Sequence, residues 1–189
     1  MDADRGMPTP EPDTRRLIHR RQILCEAYER DDGLWELEAS LSDTKTYPIP
    51  NRDRGTIEAG DPIHGMWLCL TVDASFEIRD VAVRMEKTPF AICPAIEPDY
   101  ARLVGAHIGP GWNRRLRDLF GGTRGCTHIA EMLGRLGTVA MQAMYGRRRS
   151  GNPVDTTRKP WVIDGCHAWA ADGPVVEREY PDWYTGKGS

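Results

Sequence analysis

The chain has 189 residues and a mass of 21.3 kDa, with 25 Lys and Arg against 28 Asp and Glu, a formal net charge of −3. That length suits one domain of roughly 100–200 residues, and the near balance of charge argues against general nucleic-acid binding or attachment to a membrane surface. Hydrophobic residues at 40% supply a core and exclude wholesale disorder, and no run of about 18 apolar residues is present to span a membrane.

Residues 1–16, MDADRGMPTPEPDTRR, carry three prolines and many charges without periodicity, and they lack the apolar stretch of a secretory signal. They are expected to form a mobile tail before one domain over residues 17–183. The five cysteines are odd in number and lack tight pairing, which points to free thiols in a reducing, cytoplasmic setting.

Residues 17–30 read as a strand with Ile23, Cys25 and Ala27 on one face. Asp31-Asp32-Gly33 is a hairpin signal. The return strand, residues 34–43, alternates Trp35, Leu37, Ala39 and Leu41 against Glu36, Glu38 and Ser40. A polar loop then runs to Pro62. The third strand, residues 64–73, places Met66, Leu68, Leu70 and Val72 opposite Trp67, Cys69 and Thr71. The fourth, residues 76–87, changes phase near Asp80, which predicts a bulge.

Helical signals follow. Pro98 suits the first turn of a helix. Trp112, Leu116, Leu119 and Phe120 mark a short helix closed by Gly121-Gly122. A long helix from Cys126 or Thr127 to Tyr145 carries Ile129, Leu133, Leu136, Ala140 and Met144 as its apolar stripe. Residues 147–160 form a basic connector. Residues 161–170 and 175–180 read as a last strand pair around Asp172-Gly173. The expected class is α+β: an antiparallel sheet of about four strands packed against helices, with a short β segment at the C-terminal end. Trp35, Leu37, Leu68 and Leu70 should pack on Ile129, Leu133, Leu136 and Ala140, because a strand repeats every two residues and a helix every 3.6.

The candidate chemistry centres on histidines. His128 lies in Gly125-Cys126-Thr127-His128, where glycines allow close approach and a helix start offers free N–H groups. Such a helix start can bind a carboxylate or lower the pKa of the Cys126 thiol. His19 and His64 each stand near the start of a strand. They meet at one sheet end only if those strands run parallel, since simple antiparallel neighbours would part them. Imidazole is the usual proton carrier near neutral pH. Arg21 and Arg84 have apolar strand neighbours, and a guanidinium in such a place can hold a substrate carboxylate bidentately. Tyr28, Trp67 and Tyr100 are candidates for a phenol and for pocket walls, against plain core packing. Structural zinc sites usually show two pairs of closely spaced ligands. Cys126-x-His128 and Cys166-His167 do not make such pairs, which leaves a site assembled from Cys93, Cys126 and His128. Fingerprints for dinucleotides, nucleotide phosphates and the serine-hydrolase elbow are missing, so no organic cofactor is expected.

The phrases Leu17-Ile18-His19-x-Arg21-x-Ile23, Asp31-Asp32-Gly33-Leu34-Trp35, Leu41-x-Asp43-x-Lys45, Pro110-Gly111-Trp112 and Gly125-Cys126-Thr127-His128 together resemble a bacterial family, number 2889 in the domain-of-unknown-function series. The resemblance implies an association with bacteria that degrade aromatic and steroid compounds. The order of elements also resembles the scaffold proteins of iron–sulfur cluster assembly, with Cys93 after the fourth strand and Cys126 at the long helix. The scaffold's middle Gly-Cys phrase has no counterpart in residues 95–125.

Three functions follow as expectations. The first is a small catabolic lyase or isomerase acting on an aromatic or alicyclic acid, for instance by retro-aldol cleavage or elimination. Its catalytic residues would be His19, His64, His128 and Tyr28, and its substrate-binding residues Arg21, Trp67, Tyr100 and Cys126. The second is a metal or sulfur carrier using Cys93, Cys126 and His128. The third is a non-catalytic binding module. A homodimer is compatible with all three.

Overall fold

The computed structural model describes residues 15–149 and 159–186, with side chains except those of residues 145–149. The tail expected over residues 1–16 lies outside these residues up to position 14, and the connector over residues 147–160 mostly does. The chain divides into two compact units, Met1–Gly146 and Arg147–Ser189.

In the first unit, β1 (His19–Glu29), β2 (Trp35–Lys45), β5 (Pro62–Val72) and β6 (Ile78–Lys87) form a four-stranded antiparallel sheet in the order β1-β2-β5-β6. A hairpin of β3 (Ile49–Asn51) and β4 (Gly55–Ile57) interrupts what the sequence suggests is a plain loop. Its Asn51 side chain accepts from the N–H groups of Asp53 and Arg54, a side-chain-made turn that hydropathy does not reveal. The expected bulge lies where pairing steps from Val72–Ile78 to Thr71–Asp80, leaving Arg79 unopposed.

A 3₁₀ segment, Cys93–Leu103, contains Pro98 and packs Tyr100 and Leu103 into the core. After it come α1 (Trp112–Phe120) and α2 (Thr127–Arg149). Leu37, Leu68 and Leu70 of the sheet share one core with Ile129, Leu133, Leu136 and Ala140 of α2, and Trp35 packs at its margin. This is the α+β arrangement that the two periodicities imply. The Trp112 indole donates to the Leu133 carbonyl at 2.9 Å and is buried. It lies against Gly137, where a Cβ would stand 2.7 Å from the ring. A small residue is therefore required at that helix crossing.

The second unit corrects the sequence reading. The segments expected as a strand pair are a 3₁₀ turn at His167–Trp169, the helix α3 (Pro174–Glu179) and a further turn at Pro181–Trp183. Gly173 caps α3 and Pro174 occupies its first turn. A proline at the first helical position is pre-set for a helix, and that outweighs the β preference of Val175-Val176.

Replacing Leu133 by Ala is expected to lower the unfolding free energy by about 2–5 kcal/mol. Leu24, on the other sheet face and 57% exposed, should lose less than about 0.5 kcal/mol on the same change. Urea denaturation of both variants checks this, and equal losses would refute the assignment of the two faces.

Candidate functional site

The buried series on β2, Leu37, Ala39 and Leu41, ends on Asp43, whose side chain is only 3% exposed. An isolated carboxylate in such a place is strongly unfavourable, so it must gather partners. Strand register supplies them. Arg21 of β1 stands directly opposite Asp43 on one side and His64 of β5 on the other. β1 and β5 both run antiparallel to the β2 between them, so they are parallel to each other. This brings the starts of the two strands, with His19 and His64, to the same sheet end. Past this row the register shifts, so that Thr44 pairs with Pro62 and Ile63 is passed over.

Arg21 grips the carboxylate with both arms of its fork, Nε to Oδ1 at 2.8 Å and Nη2 to Oδ2 at 2.7 Å. Its Nη1 donates to Glu131 at 2.8 Å. His64 Nδ1 lies 3.0 Å from Asp43 Oδ2, a hydrogen bond. His19 Nε2 is 3.4 Å from Oδ1, and His128 Nε2 is 3.6 Å from Oδ2. The rings of His64 and His128 pack together with centroids 3.9 Å apart.

His128 arrives from the other layer, in the first turn of α2. The Cys126 carbonyl accepts from the Ala130 N–H, so Cys126 takes the backbone role of the N-cap. Its own N–H donates to the Tyr100 hydroxyl at 2.8 Å. Gly125 permits this approach, since a Cβ there would fall 2.6 Å from that of Phe120. Cys126 Sγ sits 3.6 Å from His128 Nδ1, on the ring edge away from Asp43. Glu131 lies one turn beyond His128 on the same helix face. Its second oxygen is 3.8 Å from the exposed Arg135.

These surroundings set the charges. Burial works to raise the Asp43 pKa, but the Arg21 guanidinium and His64 outweigh it and hold the carboxyl below its ordinary value. Burial pushes His64 below the usual histidine value, against the pull of Asp43. Burial, His64 and Arg21 do the same to His128. Near neutral pH the site thus holds an anionic carboxylate beside the neutral imidazoles of His64 and His128.

The structure gathers His19, Arg21, His64 and His128 around Asp43, with Cys126 and then Tyr100 behind His128. Tyr100 is fully buried and stacks on Phe120 at 4.6 Å, and burial pushes its phenol up to about 12. Tyr28 and Trp67 are not part of the cluster. Both have the opposite strand parity and stand on the other sheet face, where Trp67 donates to Glu38. Trp67, Ser40, Arg84 and Glu86 line an open concavity of about 500 Å³ there. That hollow lacks the histidines, so the chemistry is assigned to the Asp43 cluster. The carboxylate that Arg21 holds bidentately is the protein's own. Cys93 opens the 3₁₀ segment and is not among the residues grouped around His128.

Glu131 stands in none of the motifs, and Asp43 stands in Leu41-x-Asp43-x-Lys45 without being a candidate site residue. The signal for Asp43 is parity, a carboxylate at the next inward position after Leu37, Ala39 and Leu41. For Glu131 it is the three-residue spacing from His128 and a charge on the core-side edge of the helix.

The site belongs to an α+β domain that builds a histidine–carboxylate cluster between a sheet end and a helix start. The chain matches the family described as Protein of unknown function (DUF2889) over residues 19–142, and it belongs to that family. No curated protein and no solved structure matches it significantly. The family span contains every member of the cluster.

Stability should fall on acidification through a known window. His64 and His128 titrate below their ordinary value of 6.5 when folded, so below about pH 7 the unfolded chain binds more protons than the folded one. Unfolding then becomes easier as pH drops. The loss attached to Asp43 comes only further down, below its ordinary 3.8. Denaturant melts at pH 7.5 and 5.5 should show a clear loss for the wild type and a smaller one for the His64→Gln/His128→Gln double variant. Equal losses would show that neither imidazole is held neutral.

Proposed function

We propose that the cluster transfers protons on a small acid, in a lyase or isomerase reaction such as retro-aldol cleavage or elimination. One observation carries this reading: a buried carboxylate surrounded by three imidazoles, one of them hydrogen-bonded to it. With Nδ1–H of His64 donated to Asp43, Nε2 of the same ring is left as a base. The base takes a proton either from the carbon next to a carbonyl or from a hydroxyl on the carbon β to it. In the first case the C–H pair moves into the carbonyl to give an enolate, which expels a substituent on the β carbon in an elimination. In the second the O–H pair becomes a new carbonyl, the Cα–Cβ bond breaks and its pair moves into the original carbonyl. A second imidazole returns a proton to the leaving group or to the released carbon. His19, with 39% of its side chain exposed, is the group best placed to exchange protons with solvent. Arg21 keeps one free N–H on Nη1 and one on Nη2 for an anionic substrate group. The phenol of Tyr100 is spent on Cys126 and takes no part in the proton transfers.

The association with aromatic and alicyclic acids rests on the family resemblance, which guides the choice of test compounds. A panel of cyclic and aryl-substituted keto and hydroxy acids in deuterated buffer, followed by proton NMR, tests the reading in the presence of a chelator. Wild-type protein should incorporate deuterium next to a carbonyl of at least one compound, with an acid limb below pH 6.5 as His64 and His128 become protonated. His64→Gln should slow this by about 10²–10⁴-fold with the fold intact by circular dichroism. Incorporation unchanged in His19→Gln, His64→Gln and His128→Gln would refute the proposal.

A further inference from the structure

The spacing of the cluster points to a second capacity: we infer that Asp43, His64 and His128 form a binding site for a first-row divalent transition metal ion. This goes beyond the proton-transfer reading and does not need it to hold. One atom from each residue lies within 4.8 Å of the others. Asp43 Oδ2 is 3.0 Å from His64 Nδ1 and 3.6 Å from His128 Nε2. The longer separation exceeds a hydrogen bond. It suits two ligands on one ion: nitrogen or oxygen donors about 2.0–2.1 Å from a metal are about 2.9 Å apart at right angles and about 3.4 Å apart in a tetrahedron.

The carboxylate supplies a lone pair for this once His64 Nδ1 gives up its N–H to Oδ2 and ligates as the other tautomer, with the proton on Nε2. A carboxylate offers about four acceptor positions, and Arg21 takes one on each oxygen. The guanidinium charge is shared with Glu131 through Nη1, which lowers its repulsion of a cation. His128 is oriented from behind by Cys126 at Nδ1, and the Asp43 carboxylate by Arg21. These are the outer partners that ligating side chains commonly have. Two imidazoles and one carboxylate favour zinc, iron, cobalt or nickel over magnesium or calcium, which take oxygen ligands. Three protein ligands leave a coordination position for water or substrate, and His19, 3.4 Å from the other Asp43 oxygen, remains outside as a proton carrier.

The test uses the full chain without a histidine tag, stripped with chelator and titrated with Co²⁺ and separately with Zn²⁺. One Co²⁺ per chain is expected, with visible ligand-field bands, and one Zn²⁺ by elemental analysis after desalting. Mg²⁺ should not compete. His64→Gln and His128→Gln should each weaken Co²⁺ binding by about 100-fold or more, with folding verified by circular dichroism. A Cys166→Ser/His167→Gln variant should bind as the wild type does. No binding by the wild type, or binding that survives in both single histidine variants, would overturn the site. The deuterium-incorporation assay, run with chelator, fails or succeeds independently. Its failure with Co²⁺ binding intact removes the proton-transfer reading alone.

Discussion

A carboxylate occupies a position where the fold calls for a core residue. Asp43 continues the buried face of β2, and the cost of removing its charge from water is several kcal/mol unless partners offset it. The fork of Arg21 and the His64 hydrogen bond provide that compensation from the two flanking strands. The sheet end is thus held by a row of three polar side chains instead of an apolar layer. Such a row is specific to one register, because a one-residue slip would send Arg21 or His64 to the opposite face.

The helical layer closes the same site from above. His128 reaches Asp43 because α2 begins where it does. That start is set by the Tyr100 hydroxyl on the Cys126 amide, by the tight approach of Gly125 to Phe120, and by Trp112 lodged against Gly137. Glu131, one turn further on, bonds back to Arg21 across the two layers. Sheet and helix are therefore joined at this end by charged and polar contacts, while the rest of their interface is aliphatic and aromatic. Packing fixes the rings of His64 and His128, and burial keeps both neutral, the form in which they act as bases or ligands.

The two sheet faces divide the molecule's properties. The inner face carries the core and, at one end, the cluster. The outer face sets Glu38, Ser40 and Arg84 around Trp67, beside exposed apolar groups such as Leu24. On the inner face Asp43, His64 and His128 are shifted and partnered, which is how environment makes a reactive site from common residues.

The sequence by itself determined the four long strands, the bulge in the last of them, the helices α1 and α2 and the core that joins them, because periodicities of two and 3.6 are local and the inward residues are strongly apolar. His19, Arg21, His64, Cys126 and His128 were also legible as chemically capable residues. The C-terminal helix was not, since Asp172-Gly173 followed by two valines mimics a hairpin and only Pro174 argues otherwise. The convergence of the histidines was decided by tertiary structure. It depends on β2 lying between β1 and β5, which makes the outer two parallel and aligns Arg21, Asp43 and His64 in one row. Strand order and the placement of a helix start against a sheet end are long-range properties, and no local pattern of side chains encodes them.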